Sequence, residues 1–169
     1  MSNFFKNELK GVKAFAFDVD GVFTNGTIYL HPSGEMLRTA NMRDGYALQL
    51  ALSKNYPVAI ISGGKSESLR ARFQGLGVTD IYLGSRDKLN DLNDFCGKHS
   101  IAPADLLYMG DDLPDFDVMK QAGIPCAPAD AVPQIKDLAH YISPYRGGDG
   151  CVRDVIEQVL RAQNYWPYV

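Results

Sequence analysis

The sequence has few cysteines and histidines, and neither set has a spacing typical of a disulfide or metal site. Only three of its 169 residues are Cys and three are His. Cys96, Cys126 and Cys151 are odd in number and include no CxxC pair, which argues against a disulfide framework and a zinc site. The histidines are equally dispersed, so a histidine metal cluster has little support. We expect the thiols to be buried and free.

Runs of basic residues and long apolar stretches are also missing. The formal net charge is -3 and the 17 Lys and Arg residues are scattered, so no surface for nucleic acid is indicated. No apolar run reaches membrane-spanning length, and residues 1–10 lack the apolar core of a signal peptide. These absences predict a soluble, cytoplasmic protein that binds neither nucleic acid nor a membrane.

What the sequence does contain is enough apolar material for one core. The hydrophobic content is 46 %, and this length is typical of one domain, so we expect residues 1–169 to form a single domain. Short apolar runs alternate with stretches of helical spacing, which predicts βαβ units. The expected strands cover residues 13–19, 57–62, 80–83, 105–110 and 124–127, and the expected helices cover residues 45–54, 66–75, 88–99, 113–121 and 151–163.

This alternation predicts an α/β fold of a particular kind. We expect a Rossmann-like three-layer sandwich, in which a mainly parallel sheet carries helices on both faces. Ligands of such folds bind beyond the carboxyl ends of the strands. One segment departs from the pattern: residues 27–41 resemble two strands around the turn Pro32-Ser33-Gly34, which predicts a protruding β-hairpin.

Two carboxylates follow the first expected strand. Because side chains alternate along a strand, Asp18 and Asp20 are expected on the same side. An Asp-Gly pair is also common in turns, so this motif alone fits either a turn or a site. Further polar motifs follow in order near the ends of later elements: Ser62-Gly63, Lys88, and Gly110-Asp111-Asp112 with Asp115.

This ordered set resembles the haloacid dehalogenase superfamily of phosphohydrolases. The pattern of that superfamily is DxD at the first strand, Ser or Thr at the second, a later Lys at a helix start, and a GDD or GDxxxD motif. The resemblance covers nearly the whole chain. It implies a phosphatase that uses Mg²⁺ and forms an aspartyl-phosphate intermediate.

The resemblance assigns a role to each catalytic residue. It implies that Asp18 is the nucleophile and that Asp20 is the general acid of the first step and the base of the second. Ser62 and the backbone N–H groups near Gly63 would bind the phosphoryl oxygens. Lys88 would add a positive charge, although a lysine at a helix start is also consistent with a solvated surface residue.

The resemblance also implies the residues around the metal ion. Mg²⁺ prefers oxygen ligands, and the implied ones are the carboxylates of Asp18 and Asp111 and the backbone carbonyl of Asp20. Asp112 is expected to hold the waters of the metal or a neighbouring ligand. Asp115 could orient the catalytic lysine or could be an acid in the first turn of a helix.

The chain has no room for the cap domain that many relatives insert after the first or second motif. The resemblance therefore sharpens to the capless 3-deoxy-D-manno-octulosonate 8-phosphate phosphatases of lipopolysaccharide sugar biosynthesis. Members of this family form homotetramers in which a neighbouring subunit covers each active site. The matching residues are 17–22 with Thr24 and Gly26, Gly34-Glu35, Arg43-Asp44-Gly45, 60–63, 110–113 with Asp115, and Gly147-Gly148 with Gly150 and Val152-Arg153.

One departure from this family leaves the substrate open. The family often has Arg after the Gly of the second motif, whereas this chain has Gly64 there. Phosphatases of nonulosonate 9-phosphates share the scaffold and remain an alternative, and a non-enzymatic phospho-acceptor module is a further one. A sugar-acid carboxylate requires cations, and the candidates are Arg43, Lys65, Arg72, Arg146 and Arg153.

Overall fold

The fold is built on a sheet of six parallel strands in a computed structural model that describes residues 7–168. The sheet order is β5-β4-β1-β6-β7-β8, and every neighbouring pair is parallel. The strands are β1 (Ala14–Phe17), β4 (Val58–Ser62), β5 (Asp80–Leu83), β6 (Leu106–Met109), β7 (Ile124–Ala127) and β8 (Tyr141–Ile142), while β2 (Tyr29–Leu30) and β3 (Met36–Leu37) form a separate antiparallel pair.

Helices cover both faces of the sheet. They are α1 (Met42–Ser53), α2 (Glu67–Gly75), α3 (Lys88–His99), α4 (Phe116–Gln121), α5 (Pro133–Leu138) and α6 (Cys151–Ala162). Strand β1 shows how the layers form: Phe15 and Phe17 belong to the core beneath α1, α2 and α6, and Ala14 and Ala16 to the core beneath α3, α4 and α5. Because alternate side chains point to opposite faces, one buried strand contributes to both cores.

The predicted fold class is confirmed. A mainly parallel sheet lies between two helical layers, and the described residues contain no inserted cap domain. The bounds of α3, β5 and β7 agree with the sequence prediction.

Within the described ranges, no helix combines the length and apolar character needed to cross a membrane. All three cysteines are free and buried.

The hairpin is shorter than predicted. Its paired strands contain two residues each, because the chain leaves the hairpin after Leu37 and turns back towards the sheet. Asn41 then caps α1, since its side-chain oxygen accepts the backbone N–H of Arg43 at 2.9 Å. This cap explains why the helix begins at Met42 rather than at the predicted Gly45.

Two elements near the carboxyl end were not predicted from the sequence. Helix α5 starts with Pro133 at its first position, where a missing N–H costs nothing. Strand β8 has only two residues, and it pairs with β7. In the aromatic tail, the guanidinium carbons of Arg153 and Arg161 lie 5.4 and 5.5 Å from the centroid of the Trp166 ring. Residues 1–6 and Val169 lie outside the described residues.

Candidate active site

The predicted catalytic residues converge at the carboxyl ends of three neighbouring strands. Asp18 follows β1, Ser62 ends β4, Asp111 follows β6, and Lys88 is the first residue of α3. They surround a cavity of about 590 Å³. The cavity is lined by Asp18, Asp20, Gly26, Ser62, Gly63, Gly64, Ser85, Arg86, Lys88, Asp111, Asp112, Pro114 and Asp115.

Lys88 joins the first and last acidic motifs. Its Nζ lies 2.9 Å from Asp18 Oδ1 and 2.7 Å from Asp115 Oδ1, and only 9 % of its side chain is exposed. Burial lowers the pKa of Lys88, but the charges of Asp18 and Asp115 outweigh burial and hold the pKa above its usual value. The lysine is therefore a charged side chain inside the site, not a solvated residue at the start of a helix.

Asp115 is buried and contacts Lys88. Its Oδ1 also accepts a hydrogen bond from the Tyr108 hydroxyl at 2.7 Å, and its Oδ2 accepts the backbone N–H of Asp111 at 3.2 Å. A side chain at position 110 would collide with this carboxylate, which explains the glycine there. The structure thus favours the lysine-orienting interpretation of Asp115 over that of a simple helix acid.

Three carboxylates meet on the floor of the cavity. Asp18, Asp111 and Asp115 each place an oxygen within 4.8 Å of the others. Burial, followed by the charge of Asp115, raises the pKa of Asp18 to about 7. Burial, followed by the charges of Asp18 and Asp115, raises the pKa of Asp111 to about 8. One lysine does not offset this concentration of negative charge.

The carboxylate cluster fits a divalent cation with oxygen ligands. Asp111 Oδ1 is buried and lacks a hydrogen-bond partner within the described part of the chain. Both oxygens of Asp115 already accept bonds from protein donors, which supports the prediction that Asp18 and Asp111 supply the carboxylate ligands of Mg²⁺. A side chain on Gly21 would collide with the Asp111 carboxylate. The loop after β1 therefore also lies close to this cluster.

Asp20 is held from the side by an arginine that the sequence did not indicate. Arg38 Nε donates to Asp20 Oδ1 at 2.6 Å, and Arg38 Nη2 donates to Asp20 Oδ2 at 2.9 Å. The Thr24 hydroxyl also donates to Asp20 Oδ1 at 3.3 Å. The hydrogen bond to Asp20 raises the pKa of Arg38. Arg38 is 18 residues away in sequence, so only the return path of the hairpin brings it here.

Ser62 lies at the wall of the cavity as predicted. Its side chain is buried, and its hydroxyl accepts the backbone N–H of Gly64 at 3.1 Å. Gly63 lines the same wall. Asp112 is exposed at the rim, where its carboxylate accepts the N–H of Leu113 at 2.8 Å. The Ser62 hydroxyl and the backbone near Gly63 therefore face the same cavity as Asp18.

The cations predicted to bind a substrate carboxylate are dispersed. Within residues 7–168, none of them lines the cavity that contains Asp18. Arg43 and Arg153 line a separate cavity of about 430 Å³, Lys65 lines a groove beside the hairpin, and Arg72 lines a small apolar cavity. Arg146 pairs with Asp130.

Sequence reasoning missed a cation that does line the catalytic cavity. Arg86 lies in the loop between β5 and α3, two residues before Lys88, and it is exposed. It has no ion-pair partner among the residues that the structure describes. Its nearness in sequence to the catalytic lysine was the signal that could have identified it.

The family of the chain follows from comparisons with known proteins. A family model for haloacid dehalogenase-like hydrolases matches residues 52–155. The chain is 40 % identical over 154 residues to the 3-deoxy-D-manno-octulosonate 8-phosphate phosphatase KdsC of Escherichia coli K12, covering 91 % of this chain and 82 % of that protein. The chain therefore belongs to the haloacid dehalogenase-like hydrolases. Within that class, its family is that of the octulosonate 8-phosphate phosphatases.

Solved structures agree with this placement. The phosphatase of the same description from Yersinia pestis matches with a TM-score of 0.95 and 36 % identity, covering 98 % of this chain and 89 % of that one. The enzyme from Moraxella catarrhalis, solved with magnesium, phosphate and KDO, matches with a TM-score of 0.93 and 34 % identity over 97 % and 94 % of the two chains.

Proposed function

We propose that this chain is a magnesium-dependent phosphatase that hydrolyses 3-deoxy-D-manno-octulosonate 8-phosphate in lipopolysaccharide sugar biosynthesis. The observation that carries this proposal is the buried contact of Lys88 with both Asp18 and Asp115, in the same cavity as Asp20. The named function of the relatives supports the substrate.

In the first step Asp18 attacks the substrate phosphorus. A new bond forms between a carboxylate oxygen and phosphorus, and the bond from phosphorus to the sugar oxygen breaks. Asp20 gives a proton to the departing sugar alkoxide, which leaves as the alcohol. Lys88 and the donors near Ser62 stabilise the charge on the transferring phosphoryl group.

In the second step water releases the phosphate from Asp18. Asp20 takes a proton from the attacking water, a bond forms from the water oxygen to phosphorus, and the bond to the Asp18 oxygen breaks. The products are inorganic phosphate and a regenerated Asp18 carboxylate. Mg²⁺, held by Asp18, Asp111 and the backbone carbonyl of Asp20, would supply positive charge that brings the anionic nucleophile and phosphate together.

The assembly that we propose is a cytoplasmic homotetramer of single-domain subunits. Support comes from the hairpin, where Tyr29, Leu30 and Met36 are 58, 82 and 51 % exposed. Leu30 and Met36 are cross-strand partners, and exposed apolar side chains that lie together on a hairpin are typical of a contact between protein chains. Arg86 and Asp112, which line the active-site cavity, are exposed in the single chain, which agrees with a neighbouring subunit that covers the cavity.

A substrate panel tests the proposed function. Phosphate release is measured with Mg²⁺ for octulosonate 8-phosphate, a nonulosonate 9-phosphate, hexose phosphates and a nitrophenyl ester. We expect the highest kcat/KM for the eight-carbon acid, and loss of activity in Asp18→Asn and after chelation. Preference for the nine-carbon acid would overturn the proposed substrate but not the proposed reaction chemistry. Full activity of Asp18→Asn would overturn the proposed mechanism.

A further inference from the structure

The contact between Arg38 and Asp20 has the geometry of a positioning device. The guanidinium meets both carboxylate oxygens through two separate nitrogens, at 2.6 and 2.9 Å. Such a forked contact fixes the plane of a carboxylate as well as its place, which a single hydrogen bond does not. Arg38 Nη1 also donates to the backbone carbonyl of Met36 at 2.9 Å, so the guanidinium is itself anchored to the hairpin.

Arg38 reaches Asp20 from outside the catalytic cavity. Its side chain is only 7 % exposed, whereas that of Asp20 is 32 % exposed. Asp20 lines the cavity with Asp18, while Arg38 lines two neighbouring cavities behind it. The arginine therefore contacts the acid without itself lining the cavity that contains Asp18.

The glycine at position 64 makes room for this contact. A Cβ atom built there would lie 3.3 Å from Arg38 Nη2 and 3.5 Å from Asp20 Oδ2. A longer side chain at position 64 would compete with the guanidinium for the same space. Gly64 departs from the family pattern, and the space that its missing side chain leaves free is where the Arg38 guanidinium contacts Asp20.

We propose that Arg38 is the positioning residue of Asp20, carried by the hairpin into the space that Gly64 leaves free. It holds the Asp20 carboxyl group, which is protonated when it donates to the leaving alkoxide and ionised when it accepts a proton from the attacking water, in one position through both steps. The inference rests on the proposed function, because it requires Asp20 to be the acid and base of that reaction. Because Arg38 follows the hairpin, proton transfer would also depend on the position of the hairpin relative to Asp20.

The test is a comparison of kcat and KM in Arg38→Met, Arg38→Lys and Asp20→Asn, in the full-length protein with Mg²⁺. We expect kcat of Arg38→Met to fall about 10- to 100-fold with KM nearly unchanged, because the variant loses alignment and not substrate binding. Lysine, which offers one charged donor without the fork, should restore part of the loss. Arg70→Met removes a partly buried arginine of α2 that pairs with Glu67, away from Asp20, and should match the parent.

A double-mutant cycle separates positioning from general damage to the fold. If Arg38 acts through Asp20, adding Arg38→Met to Asp20→Asn lowers kcat no further, whereas a structural defect would lower it again. Equal kcat in Arg38→Met and the parent, an effect on KM alone, or additive losses would each overturn the inference. Full activity of Asp20→Asn would instead overturn the proposed role of Asp20.

Discussion

At the scale of single residues, the site combines side chains whose chemistry the motifs indicate with others that no motif marks. Asp18, Ser62, Lys88 and Asp111 were predicted from order along the chain, and the structure brings them to one cavity. Their roles in catalysis remain predictions. Arg38 was not predicted, because an arginine in a loop carries no local signal that distinguishes a functional cation from a solvated one. Arg86 was missed although it lies two residues before Lys88.

Arg86 provides a prediction at this scale. Since it is a cation at the catalytic cavity without an ion-pair partner in the described residues, we expect it to bind the carboxylate of the sugar acid. Arg86→Gln should raise KM for octulosonate 8-phosphate about 10- to 100-fold, the effect of losing a charged hydrogen bond, with kcat little changed. Steady-state kinetics measure this.

The control for Arg86 is a substrate without a carboxylate. KM for a nitrophenyl phosphate should be the same in Arg86→Gln and in the parent, because that ester gives the guanidinium no carboxylate to bind. An equal rise in KM for both substrates would mean that Arg86 binds the phosphate instead.

At the scale of elements, buried polar contacts between distant segments support the catalytic loop. Asp44 of α1 is fully buried, and its Oδ1 accepts the backbone N–H of Arg153 in the first turn of α6 at 2.7 Å. It thereby caps a helix that lies 109 residues away in sequence. The loop before α6 also contacts the catalytic loop, since Gly148 donates its N–H to the Val22 carbonyl at 2.9 Å.

Asp44 provides a prediction for stability against pH. Burial raises the pKa of Asp44 from 3.8 to about 6, so the folded protein binds this proton more tightly than the unfolded chain does. The stabilisation is complete below pH 3.8 and is lost as the pH rises through about 6. Asp44→Asn does not titrate, so relative to this variant the parent should lose up to about 3 kcal/mol across that range.

Urea unfolding with chelator present, at about pH 4.5 and about pH 7.5, measures about 2 kcal/mol of this difference, because the remainder is lost below pH 4.5. Asp137→Asn, which changes an exposed carboxylate of α5, is the matched control and should follow the parent at both values. A constant difference in unfolding free energy between Asp44→Asn and the parent would contradict the assignment.

At the scale of the whole molecule, the sheet organises the site and the hairpin extends from it. We expect Leu30→Glu to disrupt the proposed tetramer, because a charge on an apolar contact between subunits is costly to bury. Light scattering should then show a species of about a quarter of the parent mass for a complete loss of assembly. Turnover should fall as well if a neighbouring subunit covers the site.

The matched control is Ile142→Glu, which places the same charge on an exposed residue of β8 rather than on the hairpin. It should keep the mass of the parent. A parent protein that is monomeric at working concentrations, or a Leu30→Glu variant with unchanged mass, would exclude the hairpin as the assembly surface.

The sequence by itself determined the alternation of strands and helices, the family and the order of the catalytic motifs. These are local properties, because apolar period, turn residues and motif spacing depend on neighbours along the chain. Helix α3, with Asp87 as its cap and apolar residues on one face, is an example. The sequence alone also indicated the substrate class that the relatives support.

Only the tertiary structure decided which charges meet. The forked contact of Arg38 with Asp20, the cap that Asp44 provides for α6, and the separation of Arg43 and Arg153 from the catalytic cavity all depend on segments that are far apart in sequence. The strength of a contact between charged groups depends on distance and burial in space. Spacing along the chain does not specify either quantity until the fold has brought the segments together.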